Sequence, residues 1–147
     1  MLKVLTTSIS AFSSTKKNSC CMAKRDLIVR LEDIRTRILA IESILQEAGE
    51  ESSMLKSEVY KLALERSFEI IGEALYQIQK QHEFQPVSDM SRIISLRHLL
   101  AHDYFKINHS LLWALATEKI PVLKKEILDW IDRENLRLFG TIHPEID

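Results

Sequence analysis

Glycine and proline are scarce: the chain has three of each in 147 residues, against a hydrophobic content of 46%. So few turn formers cannot punctuate a sheet of many short strands, and strand signals are nearly absent, which leaves helices as the building element. The two cysteines, Cys20 and Cys21, are adjacent, which excludes a disulfide framework and a zinc knuckle and fits a reducing, cytoplasmic setting. No apolar run approaches the ~20 residues needed to span a bilayer, so no membrane association is expected. The formal charge of −1 lacks the basic excess of proteins that hold nucleic acid along many phosphates. Any phosphate contact must therefore be local. What is left is a compact helical protein of one domain, long enough to bury a core.

Apolar residues recur at helical spacing through most of the chain. Leu27, Leu31, Ile34, Ile38, Ile41 and Leu45 follow one another at steps of four and three, which predicts an amphipathic helix from Asp26 to about Ala48 with Gly49 as its stop. Its other face, with Arg30, Glu32, Arg35, Arg37 and Glu42, is expected to be solvated. Glu50 to Lys56 reads as a polar linker. A second helix, built on Val59, Leu62, Ala63, Ile70, Ile71, Ala74, Leu75 and Ile78, should end near Gln81. Gly72 within it costs about 1 kcal/mol against alanine, which a closely packed neighbouring helix would explain. Pro86 enforces a break, after which Ser88 or Asp89 can cap a third helix carrying Ile93, Ile94, Leu96, Leu99 and Leu100. Asn108 or Ser110 restarts the chain as a fourth helix with Leu111, Leu112, Leu115, Ile120, Leu123, Ile127 and Ile131, kinked or broken near Lys119 by Pro121. Four amphipathic helices on short connections predict an all-α, antiparallel four-helix bundle with a short extra helical turn. Residues 1–22, rich in Ser and Thr and free of acidic side chains, are expected to be a flexible N-terminal extension or an assigned start ahead of Met22. The domain then covers 23–135, and 136–147 form a short tail.

Chemistry concentrates in Leu96-Arg97-His98-Leu99-Leu100-Ala101-His102-Asp103-Tyr104-Phe105. Arg97 is a permanent cation whose planar fork suits phosphate oxygens, and histidine titrates near neutral pH without help. Together they supply a charge clamp and a proton shuttle, the minimal set for cleaving a phosphodiester without a metal. Five residues apart on a straight helix, Arg97 and His102 are turned by about 140° from each other. They converge only if the helix ends or bends between them, or if a second subunit brings its own copy. Asp103 could neutralise Arg97 or orient His102. His98 and His102 are four apart and share a helix side, but Leu99 stands where His-Glu-x-x-His has its glutamate and Glu-x-x-His occurs nowhere, so no metal or other cofactor is expected. Arg66, Glu69 and Glu73 fall at i, i+3 and i+7 and line one side of the second helix, as a salt-bridged stripe or as the wall of a cleft. Trp113 and Trp130 fit a core or dimer interface better than base stacking.

Arg97, His102 and Tyr104 match the Arg-x4-His-x-Tyr signature of the HEPN superfamily, and the surroundings resemble the HepT toxins of the MntA-HepT type. Arg66-Ser-Phe-Glu-Ile-Ile-Gly-Glu-Ala74, Lys24-Arg-Asp-Leu and Leu112-Trp113 followed by Ile120-Pro-Val-Leu-Lys124 agree in order, so that the resemblance covers about Ala23 to Trp130. It implies a HEPN-like bundle, a homodimer, and a metal-independent RNA endonuclease acting as the toxin of a type II toxin-antitoxin system. Arg97 and His102 would be catalytic, with Asp103, His98, Arg66, Glu69 and Glu73 supporting them. It also implies that Tyr104 receives AMP from an MntA-like nucleotidyltransferase antitoxin, which switches the nuclease off. The alternative is a helical subunit of a nucleotidyltransferase pair that binds a nucleotide or partner and cleaves nothing.

Overall fold

The computed structural model describes residues 12–81 and 87–140. Among them are six α-helices and no strand: α1 (Phe12–Ala48), α2 (Glu51–Lys56), α3 (Glu58–Gln81), α4 (Met90–His102), α5 (His109–Glu118) and α6 (Ile120–Phe139), with a 3-10 turn at Tyr104–Lys106 between α4 and α5. The all-α bundle expected from the periodicity is what the chain forms. Helix α3 lies at its centre, packed against α1 on one side and α4 on the other, while α6 closes against α1.

The first helix begins at Phe12, upstream of the Asp26 start that periodicity suggested. The alternation of four and three picks out its buried side: Leu27, Leu31, Ile34, Ile38 and Ile41 are all buried. Each such side chain contributes about 1.5–3 kcal/mol on leaving water. Gly49 ends the helix in the left-handed region, at φ 72°, with its N–H donating to the Leu45 carbonyl at 3.0 Å. The stretch expected to be a linker forms α2, because Met54 turns inward and is fully buried.

In α3 the buried stripe is Leu64, Phe68, Ile71, Leu75 and Ile78, whereas Val59 and Leu62 are 73% and 55% exposed. These two were expected in the core. They are apolar and helical, but they sit on the face that carries Arg66, Glu69 and Glu73.

Helix α4 starts after Asp89, which adopts a left-handed φ of 57° and makes no side-chain cap. Its carboxylate instead approaches Arg92 at 3.5 Å and Lys119 at 3.4 Å. Ser88 donates its N–H to Glu126 of α6 at 2.9 Å, and its hydroxyl bonds the same carboxylate. The start of α4 is thus tied to α6. Asn108 caps α5 as expected, accepting from the Leu111 N–H at 3.1 Å. Pro121 breaks the fourth helix into α5 and α6 and sits in the first turn of α6, where its missing N–H is not needed. Trp130 is buried and Trp113 partly so. His82, Pro86 and the tail from residue 141, with His143, lie outside the described residues, as do residues 1–11.

Candidate active site

An open cleft of about 780 Å³ runs between α1, α3 and α4, lined by Arg30 and Asp33 from α1, Arg66, Glu69, Ile70, Glu73 and Ala74 from α3, and Arg97 and Ala101 from α4. The stripe at i, i+3 and i+7 therefore lines a cleft, and its members are also paired with one another.

Gly72 sets how closely the walls approach. A Cβ added there would collide with the Cβ of Arg97 and lie 3.1 Å from the Ile93 carbonyl and 3.2 Å from Arg97 Cγ. The residue that costs α3 stability is the one that lets α4 dock with Arg97 at the contact. Arg97 Nη2 forms an ion pair with Glu73, and only 22% of the arginine side chain is exposed. Its guanidinium carbon lies 5.2 Å from the centroid of the Tyr76 ring, within cation–π range. Arg97 Nη1 is 3.4 Å from Nδ1 of the exposed His98, a long contact, and the His98 ring meets Tyr76 edge-on at 6.0 Å. Glu73 also accepts from Gln77 Nε2 at 2.7 Å. Arg97 is thus held on three sides, and its position is set before any ligand arrives.

The rest of the signature is at the tip of α4. The helix is continuous from Met90 to His102 and ends only at Asp103, whose backbone leaves helical geometry at φ −126°, ψ 41° while its N–H still donates to the Leu99 carbonyl. No bend intervenes between Arg97 and His102. Ala101, not His102, shares the cleft with Arg97, and His102 is exposed, without a side-chain hydrogen bond or ion pair among the described residues. Within one subunit the two side chains are not brought together. Asp103 pairs with neither of them: its carboxylate faces Lys106 at 3.7 Å. Tyr104 opens the 3-10 turn that follows, and only its backbone is described. Among the described residues no group of three or more His, Cys, Asp or Glu side chains is arranged to share a metal ion.

Two cleft residues were not singled out in the sequence. Arg30 was assigned to a solvated face and Asp33 was not considered, yet both face the cleft. Asp26, Arg30 and Asp33 fall at i, i+4 and i+7, the same kind of one-sided spacing as Arg66, Glu69 and Glu73, and that pattern was the available signal. Tyr76 was missed because an aromatic at a half-buried helix position is indistinguishable from core. Outside the cleft, His109 Nε2 lies 2.5 Å from Glu65 Oε1 in a partly buried pair that joins α5 to α3.

An all-α bundle that fixes an arginine in a charged cleft and ends the same helix in His-x-Tyr has the architecture of a HEPN domain. Residues 34–129 match the family model described as "Ribonuclease HepT-like". The chain is 31% identical over 107 residues to "Putative RNase MJ1380" of Methanocaldococcus jannaschii, an alignment covering 72% of this chain and 97% of that one. It is 35% identical over 98 residues to "Probable ribonuclease HepT" of Thermococcus cleftensis, covering 64% and 86%. No solved structure matches it. The chain belongs to the HepT-like ribonuclease family.

Proposed function

We propose that this protein is a metal-independent endoribonuclease and the toxin of a type II toxin-antitoxin system, working as a cytoplasmic homodimer. The observation that carries the reading is the division of labour along α4: an arginine clamped by Glu73 and Tyr76 in the cleft and, at the tip of the same helix, an exposed histidine without a side-chain partner among the described residues. In the reaction His102 takes the proton of a ribose 2′-hydroxyl. The oxygen so released attacks the adjacent phosphorus to close a 2′,3′-cyclic phosphate, and the P–O5′ bond breaks as the leaving oxygen takes a proton from water. Arg97 neutralises the charge that builds on the non-bridging oxygens, the kind of preorganised stabilisation that gives the largest single contribution in many enzymes.

Two observations support a dimer. Arg97 and His102 diverge within a subunit, so a second copy is the remaining route to a complete site. The cleft face of α3 also continues past Arg66 into exposed Leu62 and Val59. Phe105, in the turn that follows α4, is likewise apolar and 86% exposed. Apolar surface flanking a charged cleft suits a self-complementary two-fold contact.

Cleavage of RNA by the purified protein in excess chelator tests the reading. His102→Ala should lower the rate by about 10²- to 10⁴-fold, the usual contribution of one positioned proton-transfer group, with helical content unchanged. An unaltered rate in that variant, or no cleavage by the native chain, would leave the helical binding subunit as the better reading.

A means of inhibition belongs to the same reading. AMP transferred to Tyr104 by an MntA-like nucleotidyltransferase would place a negatively charged nucleotide two residues beyond His102, where it repels incoming RNA phosphate. Tyr104→Phe should leave cleavage intact and remove the response to the antitoxin and ATP. An AMP adduct of equal mass on the Phe variant would place the acceptor elsewhere.

A further inference from the structure

The cleft holds more arginine than the cleavage step uses. Arg97 is on the α4 wall, Arg66 on α3 and Arg30 across from them on α1. We propose that Arg30 binds RNA, gripping a phosphate next to the one that is cleaved and fixing the path of the strand across α1; this rests on the ribonuclease reading above.

The donors left over point to this role. Arg30 gives its Nε to Asp26 Oδ2 at 3.0 Å, one helical turn away, and both of its terminal amino groups are uncommitted among the described residues. Arg66 gives only Nη1, to Glu69 Oε2 at 2.9 Å. Arg97, by contrast, has one amino group on Glu73 and the other beside His98. A carboxylate on Nε holds a guanidinium in a set orientation while leaving its outer edge able to take two phosphate oxygens. The Arg30 pair itself lies within one helix and is partly exposed, so it contributes little to holding the fold together.

Charge in the cleft bears on the kind of ligand. Asp33, Glu69 and Glu73 balance the three arginines, in keeping with the whole-chain charge of −1. A balanced cleft does not attract polyanions over a long range. It rewards a ligand whose phosphates meet the arginines one by one and displace carboxylate contacts as they do so. A short single-stranded stretch of RNA has that character, because its backbone can follow a cleft walled by three helices, which a rigid duplex cannot enter so easily. Few contacts also mean a shallow salt dependence: about 0.7 in the log–log slope for each phosphate neutralised on a single strand.

The test is binding of a 2′-O-methyl oligoribonucleotide, which lacks the attacking hydroxyl and reports affinity without turnover, measured by fluorescence anisotropy from low to moderate salt. Arg30→Gln should weaken binding about tenfold, the usual loss for one charge-assisted contact, and make the salt slope shallower by about 0.7. With cleavable RNA the loss should fall on KM far more than on kcat. Arg30→Lys should recover part of the affinity, and Asp26→Asn, which removes the orienting carboxylate and keeps the guanidinium, should lose clearly less affinity than Arg30→Gln. Unchanged affinity in Arg30→Gln overturns the proposal. An equal loss in Asp26→Asn overturns it too, since the pair would then matter for structure alone. Should the native chain bind the oligonucleotide in an Arg30-dependent way yet cleave no RNA, the catalytic reading fails while this one stands.

Discussion

Helix α3 presents two faces of opposite character. One carries Leu64, Phe68, Ile71, Leu75 and Ile78, all buried against α1 and its neighbours; the other carries Val59, Leu62, Arg66, Glu69 and Glu73, partly or largely exposed along the cleft. The buried face is non-directional, so any side chain of similar volume serves it and its energy grows with area. The cleft face is directional: Glu73 is useful because it meets Arg97, and Arg66 because Glu69 orients it. Gly72 stands at the junction, buried, between a core stripe that asks for volume and a helix contact that forbids it. One helix thus carries both a core stripe and the wall that positions Arg97, and the two faces can be disturbed separately.

The largest separation should come from the signature residues. Arg97→Ala should lower RNA cleavage by about 10²-fold or more, the typical cost of removing one transition-state donor, while leaving the thermal unfolding transition nearly in place. Mixing the inactive Arg97→Ala and His102→Ala chains should restore part of the activity, because a mixed dimer rebuilds one site from the intact residues of each subunit. Failure to regain activity, with mixed dimers shown to form, would mean that each subunit supplies its own pair.

On the opposite face, Leu75→Ala should destabilise the fold by about 2–5 kcal/mol through a cavity at a fully buried position. Activity per folded molecule should stay close to native when measured well below the transition. A specific loss of activity at full folding would show that the core face also sets the cleft.

Gly72→Ala should give the smallest and most informative change, because two effects oppose one another there. Alanine gains about 1 kcal/mol of helix propensity. Its Cβ meets Arg97 and the Ile93 carbonyl, and a backbone carbonyl does not yield as a flexible side chain does, so overpacking of about 1–3 kcal/mol should win. Stability should fall modestly and cleavage more than stability explains, since Arg97 is displaced. A raised melting temperature would show that α4 is not held as closely as the contact implies.

Much of this molecule was legible in the order of its residues. The buried face of α1, the stop at Gly49, the cap at Asn108 and the break ahead of Pro121 all follow from local rules in which a residue and its near neighbours decide the outcome. The same locality explains why α2 was missed: a single inward Met54 in a polar stretch carries no periodic signal. It explains Val59 and Leu62 as well, which satisfy helical spacing but lie off the buried stripe.

The sequence by itself determined which side chains could do chemistry, through the spacing of Arg97, His102 and Tyr104 and the one-sided stripe of α3. Only the tertiary structure decided who their partners are. That Glu73 and Tyr76 hold Arg97, that Arg30 reaches the cleft from α1, and that Asp103 faces Lys106 instead of Arg97 depend on how three helices are rotated and how closely they approach. Rotation and approach are set by contacts between residues far apart in the chain, here by a missing Cβ at Gly72 against Arg97, and helical periodicity within one segment holds no information about the segment it will meet.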